Sequence, residues 1–242
     1  MTALLLAAGT GSRMGPEPKL TLPFGTSTVV GETARALVRA GVFARVVVVT
    51  GHAAGSVEAA ALRALGSALA SETGHVPTTT PSGREDVTAR WSGPLSVVVV
   101  HNAAFADGMS GSVAVGAQAA PDDEPVAVML GDLPLVRPET IRRLADALGG
   151  PADVVRPAYR GGPGHPVLFG ADHLPALRAL APRSGFTRGD AGARVLARSA
   201  RRVDVDDAGV VTDLDTRAAY AAARRARPAA PGTSSTGRSP TA

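Results

Sequence analysis

The residues best suited to phosphate chemistry stand near the start of the chain. Leu4-Leu5-Leu6-Ala7-Ala8 is an apolar run of strand length that breaks at Gly9, and Gly11, Arg13, Gly15 and Lys19 follow it closely. A buried strand that empties into a glycine-rich cationic loop can cradle phosphate. Glycines without a Cβ let backbone N–H groups approach phosphate oxygens, and Arg13 and Lys19 add full positive charges. Lys19 is the single lysine among 25 Lys+Arg residues, which marks it as functional rather than as solvated surface. The Walker loop wants Gly-Lys-Ser/Thr, and the dinucleotide fingerprint wants a third glycine where Met14 stands, so neither pattern fits.

Carboxylates that could complement this loop come later. Pro125 to Leu130 reads as a buried strand that delivers Asp132 at its C-terminal end, the edge of an open α/β sheet where ligands bind. A carboxylate there can hold Mg²⁺, which takes hard oxygen ligands from one or two carboxylates plus triphosphate oxygens. A capping role for Asp132 fits less well, because Pro138 and Glu139 form the first turn of the next helix and lie too far downstream. Asp213 and Asp215, two apart on an extended segment, face the same way and either could share that cation; Asp215 is favoured, with Asp213 close behind. Asp206 and Asp207, beside Gly209, read as a turn. Ser110 and Ser112 open a helix, where a serine either caps or meets a ligand. His165, in Gly164-His165-Pro166-Val167, is open between a structural hydrogen bond and a ligand contact.

Taken together, these phrases resemble a known family. Leu-Ala-Ala-Gly, Arg-Met-Gly and the following Pro-Lys resemble the signature loop of nucleotidyltransferases of the GT-A-like, Rossmann-related fold. Within that group the loop resembles that of the molybdenum cofactor (molybdopterin) cytidylyltransferases. Here Pro16 and Glu17 fill a gap that usually holds one residue. Gly108-Met109-Ser110-Gly111-Ser112, Gly131-Asp132-Leu133-Pro134-Leu135-Val136, Gly164-His165-Pro166-Val167, Gly189-Asp190-Ala191-Gly192-Ala193-Arg194 and Asp213-Leu214-Asp215-Thr216 resemble further segments of it, with Arg217 where a proline is usual.

The resemblance implies that Leu6, Ala7, Ala8, Gly9 and Gly11 bind a nucleoside triphosphate, that Ser110 and Ser112 contact the nucleotide, and that His165 walls the acceptor side. It implies Mg²⁺ on Asp132 and Asp215, with Arg13 and Lys19 stabilising phosphate charge. Ala-Ala-Gly in the first loop points to CTP over GTP, with molybdopterin as acceptor and a molybdenum hydroxylase as the recipient of the dinucleotide. Asp190 is expected to cap the last core helix. The rival readings are another phosphate acceptor, such as a sugar phosphate or methylerythritol phosphate, and a non-catalytic nucleotide-binding module that carries the cofactor.

The elements that must position these residues read as one α/β domain, a mostly parallel Rossmann-like sheet flanked by helices, over 1–224. A helix is expected from Thr28 to Ala40, a strand over 45–50, a second helix through Leu65, a strand over 96–101 and a helix from Pro138 to about Leu148. Residues 66–94, rich in Ser, Thr, Gly and Pro, read as a flexible insertion, and 225–242 as a disordered tail. The chain has 242 residues, 45% of them hydrophobic, enough for a sizeable core, and no cysteine for thiolate or disulfide chemistry. No run approaches membrane-spanning length and no leader is evident, so a cytoplasmic protein is expected. The net charge of +4 gathers in Arg224, Arg225, Arg227 and Arg238, and only 3% of residues are aromatic, which argues against nucleic acid as a partner.

Overall fold

The leucine run that opens the chain is buried on both sides. Ala3, Leu5 and Ala7 of strand β1 (Thr2–Ala7) join one apolar cluster, and Leu4 and Leu6 join another. Alternating side chains on a strand covered from both faces must divide in this way. The computed structural model describes residues 1–11, 15, 17–74, 79–80, 87–91, 95–180 and 197–226. Arg13, Asp190 and the tail from 227 lie outside those residues.

A short hairpin of β2 (Pro23–Phe24) and β3 (Ser27–Thr28) leads into helix α1 (Val29–Ala40). Thr28 accepts a hydrogen bond from Gly31 N at the start of α1, and Gly41, in the left-handed region, ends it, as the sequence leads one to expect. Strand β4 (Arg45–Thr50), helix α2 (Ala54–Thr73), strands β5 (Thr79–Thr80), β6 (Val87–Trp91) and β7 (Ser96–His101), and helix α3 (Met109–Gln118) follow. The second half comprises β8 (Val126–Leu130), α4 (Pro138–Ala147), β9 (Val154–Tyr159), β10 (Gly162–Pro163), β11 (Val167–Phe169), α5 (Leu174–Arg178), β12 (Arg201–Asp204) and α6 (Arg217–Ala226).

Among the described residues ten strands form one sheet, in the order β10-β9-β11-β8-β1-β4-β7-β6-β5, with β12 also paired to β9. The centre, β8-β1-β4-β7, is parallel throughout. Strand β11 runs antiparallel between β8 and β9, so β9 again points the same way as β8. The mostly parallel α/β architecture therefore holds, with an antiparallel strand or hairpin on each flank. Residues of α1, α2 and α4 pack on one face of the sheet and residues of α3 and α5 on the other. Each fully buried leucine, such as Leu4 and Leu5 on β1 or Leu37 on α1, contributes about 2 kcal/mol to this packing. No described helix is long and apolar enough to cross a membrane.

The segment 66–94 differs from the loop expected of it. Residues 66–73 belong to α2, because Ala68 and Leu69 continue the buried face of Ala64 and Leu65 at helical spacing. Strands β5 and β6 form a hairpin, and β6 pairs antiparallel with β7. Without that pairing the open edge of β7 would present unpaired N–H and C=O groups, and pairing satisfies them whatever the side-chain composition.

Asp207 accounts for how the late acidic segment is held. Its buried carboxylate accepts hydrogen bonds from Arg137 N at 2.9 Å, Thr140 Oγ1 at 2.7 Å and Gly209 N at 2.9 Å. The turn at 206–209 was legible in the sequence; its second task, satisfying the N-terminus of α4, was not.

Candidate active site

Lys19, Asp132 and Asp215 meet. The Lys19 Nζ donates to Asp132 Oδ2 at 2.6 Å and to Asp215 Oδ1 at 2.7 Å, although the three residues are far apart in the chain. Lys19 is buried, with 9% of its side chain exposed, while Asp132 and Asp215 keep 18% and 35%. Burial works against the ammonium, but the Asp132 and Asp215 carboxylates outweigh it and hold the lysine above its ordinary value.

Each member is placed by local structure. Lys19 sits in a single 3₁₀ turn, Lys19–Thr21, anchored by the buried Leu20. Gly11 adopts φ +57, and a Cβ there would lie 2.8 Å from Lys19 Cβ, so the lysine stands against the loop only because Gly11 is a glycine. Asp132 follows the end of β8. Its neighbour Gly131 donates from its N–H to Leu6 O at 2.9 Å, and its carbonyl accepts from the buried Thr33 Oγ1 of α1 at 3.1 Å. Leu214, fully buried between Asp213 and Asp215, fixes the third part.

The charges do not balance. Asp213 stands near the other two carboxylates, and its carboxyl is held above the usual range, first by burial and then by Asp215 and Asp132. Around the Lys19 ammonium the described residues bring three carboxylates, Asp132, Asp213 and Asp215, an arrangement that suits a cation more highly charged than lysine. Asp132 and Asp215 already place an oxygen each within 2.7 Å of one cationic centre, and hard carboxylate oxygens are the ligands Mg²⁺ prefers. Among the described residues no group of three or more His, Asp or Glu side chains is arranged to hold a metal ion by itself. The donor set therefore fits a divalent ion completed by substrate phosphate oxygens, rather than one caged by protein alone.

A cleft of about 830 Å³ opens at the C-terminal edge of the parallel strands and contains this cluster. Of the residues expected to bind nucleotide, Leu6, Ala8, Gly9, Gly11 and Ser112 line it, and so do Lys19, Asp132, Asp213, Asp215 and His165. Ala7 does not: it is fully buried in the core, as strand alternation requires of the residue between Leu6 and Ala8. Ser110 is buried at the same helix start as Ser112 but is not part of the wall. Neither serine caps α3, whose N-cap is Gly108. Ser112 instead accepts from Asn102 Nδ2 at 2.9 Å, and Asn102 accepts in turn from Ala104 N. His165 is held through its backbone N–H to Val210 O at 2.9 Å. His52 is exposed, 6.1 Å from the Phe105 ring, and not part of the wall.

The profile of the MobA-like NTP transferase domain matches residues 3–205. The chain belongs to the MobA-like NTP transferase family. Among curated proteins, nicotine blue oxidoreductase of Paenarthrobacter nicotinovorans is 27% identical over 229 residues, 89% of this chain and 92% of that protein. Among solved structures, Rv0371c from Mycobacterium tuberculosis H37Rv matches with a TM-score of 0.64 and 28% identity, over 93% of this chain and 96% of that one. A complex of the same protein with manganese matches with a TM-score of 0.62 at 27% identity, covering 93% and 98%. A nucleotidyl transferase from Methanothermobacter has a TM-score of 0.64 and 28% identity over 93% and 95%.

In this MobA-like domain two arginines join the site that motif reasoning did not bring to it. Arg217, at the start of α6, lies against the amino-terminal loop: a Cβ on Gly15, at φ +102, would be 2.7 Å from Arg217 Nη2. Only its departure from the usual proline singled it out in the sequence. Arg156 lines the cleft from β9. Its signal was an arginine within the apolar run Val154-Val155-Arg156-Pro157.

Proposed function

We propose that the cleft transfers CMP from CTP to the terminal phosphate of a molybdopterin-type acceptor and releases pyrophosphate, with a molybdenum hydroxylase as the recipient of the dinucleotide. The observation that carries the reading is the junction of Lys19 with Asp132 and Asp215 beside the glycine loop, inside one cleft. Membership of the MobA-like family supports nucleotidyl transfer, and the Ala7-Ala8-Gly9 wording of the first loop favours CTP. The manganese complex of the M. tuberculosis relative supports a divalent ion.

An oxygen of the acceptor phosphate attacks the α-phosphorus, the bond from that phosphorus to the bridging oxygen of the β-phosphate breaks, and pyrophosphate takes the electron pair. A phosphate acceptor is already ionised at neutral pH, so no strong general base is required. The backbone at Gly9 and Gly11 receives the triphosphate, and the Lys19 ammonium, with Arg13 from the loop, neutralises charge that builds on the leaving group. Asp132 and Asp215 would hold Mg²⁺, which when bound supplies positive charge to the phosphates and helps fix their geometry. Ser112 and Leu6 wall the nucleotide, and His165 walls the acceptor side. Catalysis here is positioning and charge neutralisation.

The test is pyrophosphate release from each of the four NTPs with Mg²⁺ and a molybdopterin-containing extract, the product read by mass. CTP is expected to exceed GTP by at least about tenfold, a difference of about 1.4 kcal/mol; equal use of GTP overturns the base assignment. A second reading comes from the name of the P. nicotinovorans relative, an oxidoreductase. On that reading no NTP releases pyrophosphate, and turnover follows a redox partner instead.

A further inference from the structure

The cleft is larger than a triphosphate site needs. At about 830 Å³ it lies toward the upper end of small-molecule sites, room for two substrates. Sheet order divides it. The loops after β1 and β7 lie on one side of Asp132, and β11 and β9 lie on the other. The second side is lined by apolar residues, Val128, Val167, Phe169 and Val210, each keeping 5% or less of its surface exposed, and by one cation among the described residues, Arg156.

Arg156 is held there at a cost. Its Nη2 donates to Gly164 O at 3.1 Å, but its buried Nε–H has no acceptor and it makes no ion pair with a described residue. Its register partner across the parallel β9–β12 pair is Arg202, a like charge. Burial, and then Arg202, push the guanidinium below its ordinary value. Two arginines side by side without a carboxylate destabilise a sheet, and a buried donor without an acceptor adds to that. A planar fork of donors in a cleft is matched by an oxyanion, most closely by phosphate or carboxylate.

We propose that Arg156 is the anion receptor of the acceptor subsite, binding the phosphate of a monoester whose apolar or ring-bearing body rests on the Val128–Phe169 wall. This rests on the nucleotidyl-transfer reading for the identity of the site as an acceptor subsite, but binding by Arg156 can be measured without turnover. Phenyl phosphate, a phosphate monoester on an apolar ring, is the probe. It is titrated into the full chain by ³¹P NMR with excess pyrophosphate present to occupy the amino-terminal loop.

Wild type is expected to bind it, Arg156→Gln at least about tenfold more weakly, and Arg156→Lys in between, as loss of a charge-assisted hydrogen bond entails. CTP binding by Arg156→Gln should match wild type. In wild-type protein, phenyl phosphate should also protect Arg156 from phenylglyoxal, read by peptide mass, which keeps the test independent of whether the variants fold. Equal binding by wild type and Arg156→Gln, no binding by wild type, or unprotected Arg156 overturns the proposal. Arg156-dependent binding without pyrophosphate release from any NTP would uphold the receptor and remove the transferase reading.

Discussion

Asp132→Ala is expected to lower pyrophosphate release by about 10³-fold or more, roughly 4 kcal/mol of transition-state stabilisation. Asp132 is the carboxylate that the central strand β8 delivers to the cleft, and it is the less exposed of the two that meet Lys19. Without it the site has Asp215 and Asp213, both on one segment, and no carboxylate among the described residues opposite them to hold a divalent ion between two walls. The loss should appear in kcat as well as in KM, because charge on the transferring phosphate grows in the transition state. Steady-state assays over a range of Mg²⁺ concentrations decide the matter. Activity within about tenfold of wild type at saturating Mg²⁺ would take Asp132 out of the reaction.

Lys19→Met should produce the second large effect, in two readouts at once. The variant loses the ammonium that would neutralise the leaving group, and turnover should fall about 10²- to 10³-fold. It also leaves Asp132, Asp213 and Asp215 facing one another. Breaking a fully buried pair costs about 3–5 kcal/mol, and partial exposure of the aspartates reduces that to about 2 kcal/mol, or roughly 4–8 °C in Tm. The lysine is held above its ordinary value. Its contribution is therefore fully present below the usual lysine range and is lost only as pH rises through the higher folded value, so the difference from wild type persists at neutral pH. Adding Mg²⁺ or Mn²⁺ should recover more Tm in Lys19→Met than in wild type, since the ion and the ammonium compete for the same oxygens. Calorimetric scans with and without the metal measure this. An equal metal shift in both proteins would mean that the lysine does not stand where the cation binds.

That competition changes the part Lys19 plays. The loop sequence assigned it to the triphosphate; in the structure it is paired to the carboxylates expected to carry the metal. Both assignments are compatible if arrival of the nucleotide and its ion replaces the carboxylates as partners of the ammonium. The lysine would then keep the three acids tolerable to one another until substrate arrives.

Much of the frame could be read from residues. Apolar runs of four to six, each closed by a polar residue or Gly, specify two-sided parallel strands, and β1, β4 and β7 fall where those runs lie. Thr28 and Gly41 mark the ends of α1 because capping chemistry is local. The edge hairpin of β5 and β6 was only half legible: Val87-Thr88-Ala89-Arg90-Trp91 alternates as a strand does, but the Ser, Thr, Gly and Pro around it mask the signal, and what fixes it is the unpaired edge of β7, a property of the sheet. The same distinction runs through the site. Lys19, Asp132, Asp213 and Asp215 were recognisable by type and by position at strand ends, but their meeting depends on tertiary placement by Thr33, Leu214 and Asp207. Ala7 was assigned to the nucleotide by motif, whereas alternation along β1 turns it into the core. Arg156 escaped notice because an arginine in a strand reads as an edge or surface residue until the cleft is seen beside it.

The most direct test is whether this cleft holds a nucleoside triphosphate and a divalent ion together. Calorimetric titration of the full chain with CTP, with and without Mg²⁺, measures it. Mg²⁺ is expected to tighten CTP binding at least about tenfold in wild type and not in Asp132→Ala. CTP affinity that ignores Mg²⁺, or Mg²⁺ coupling that survives intact in Asp132→Ala, would contradict that expectation.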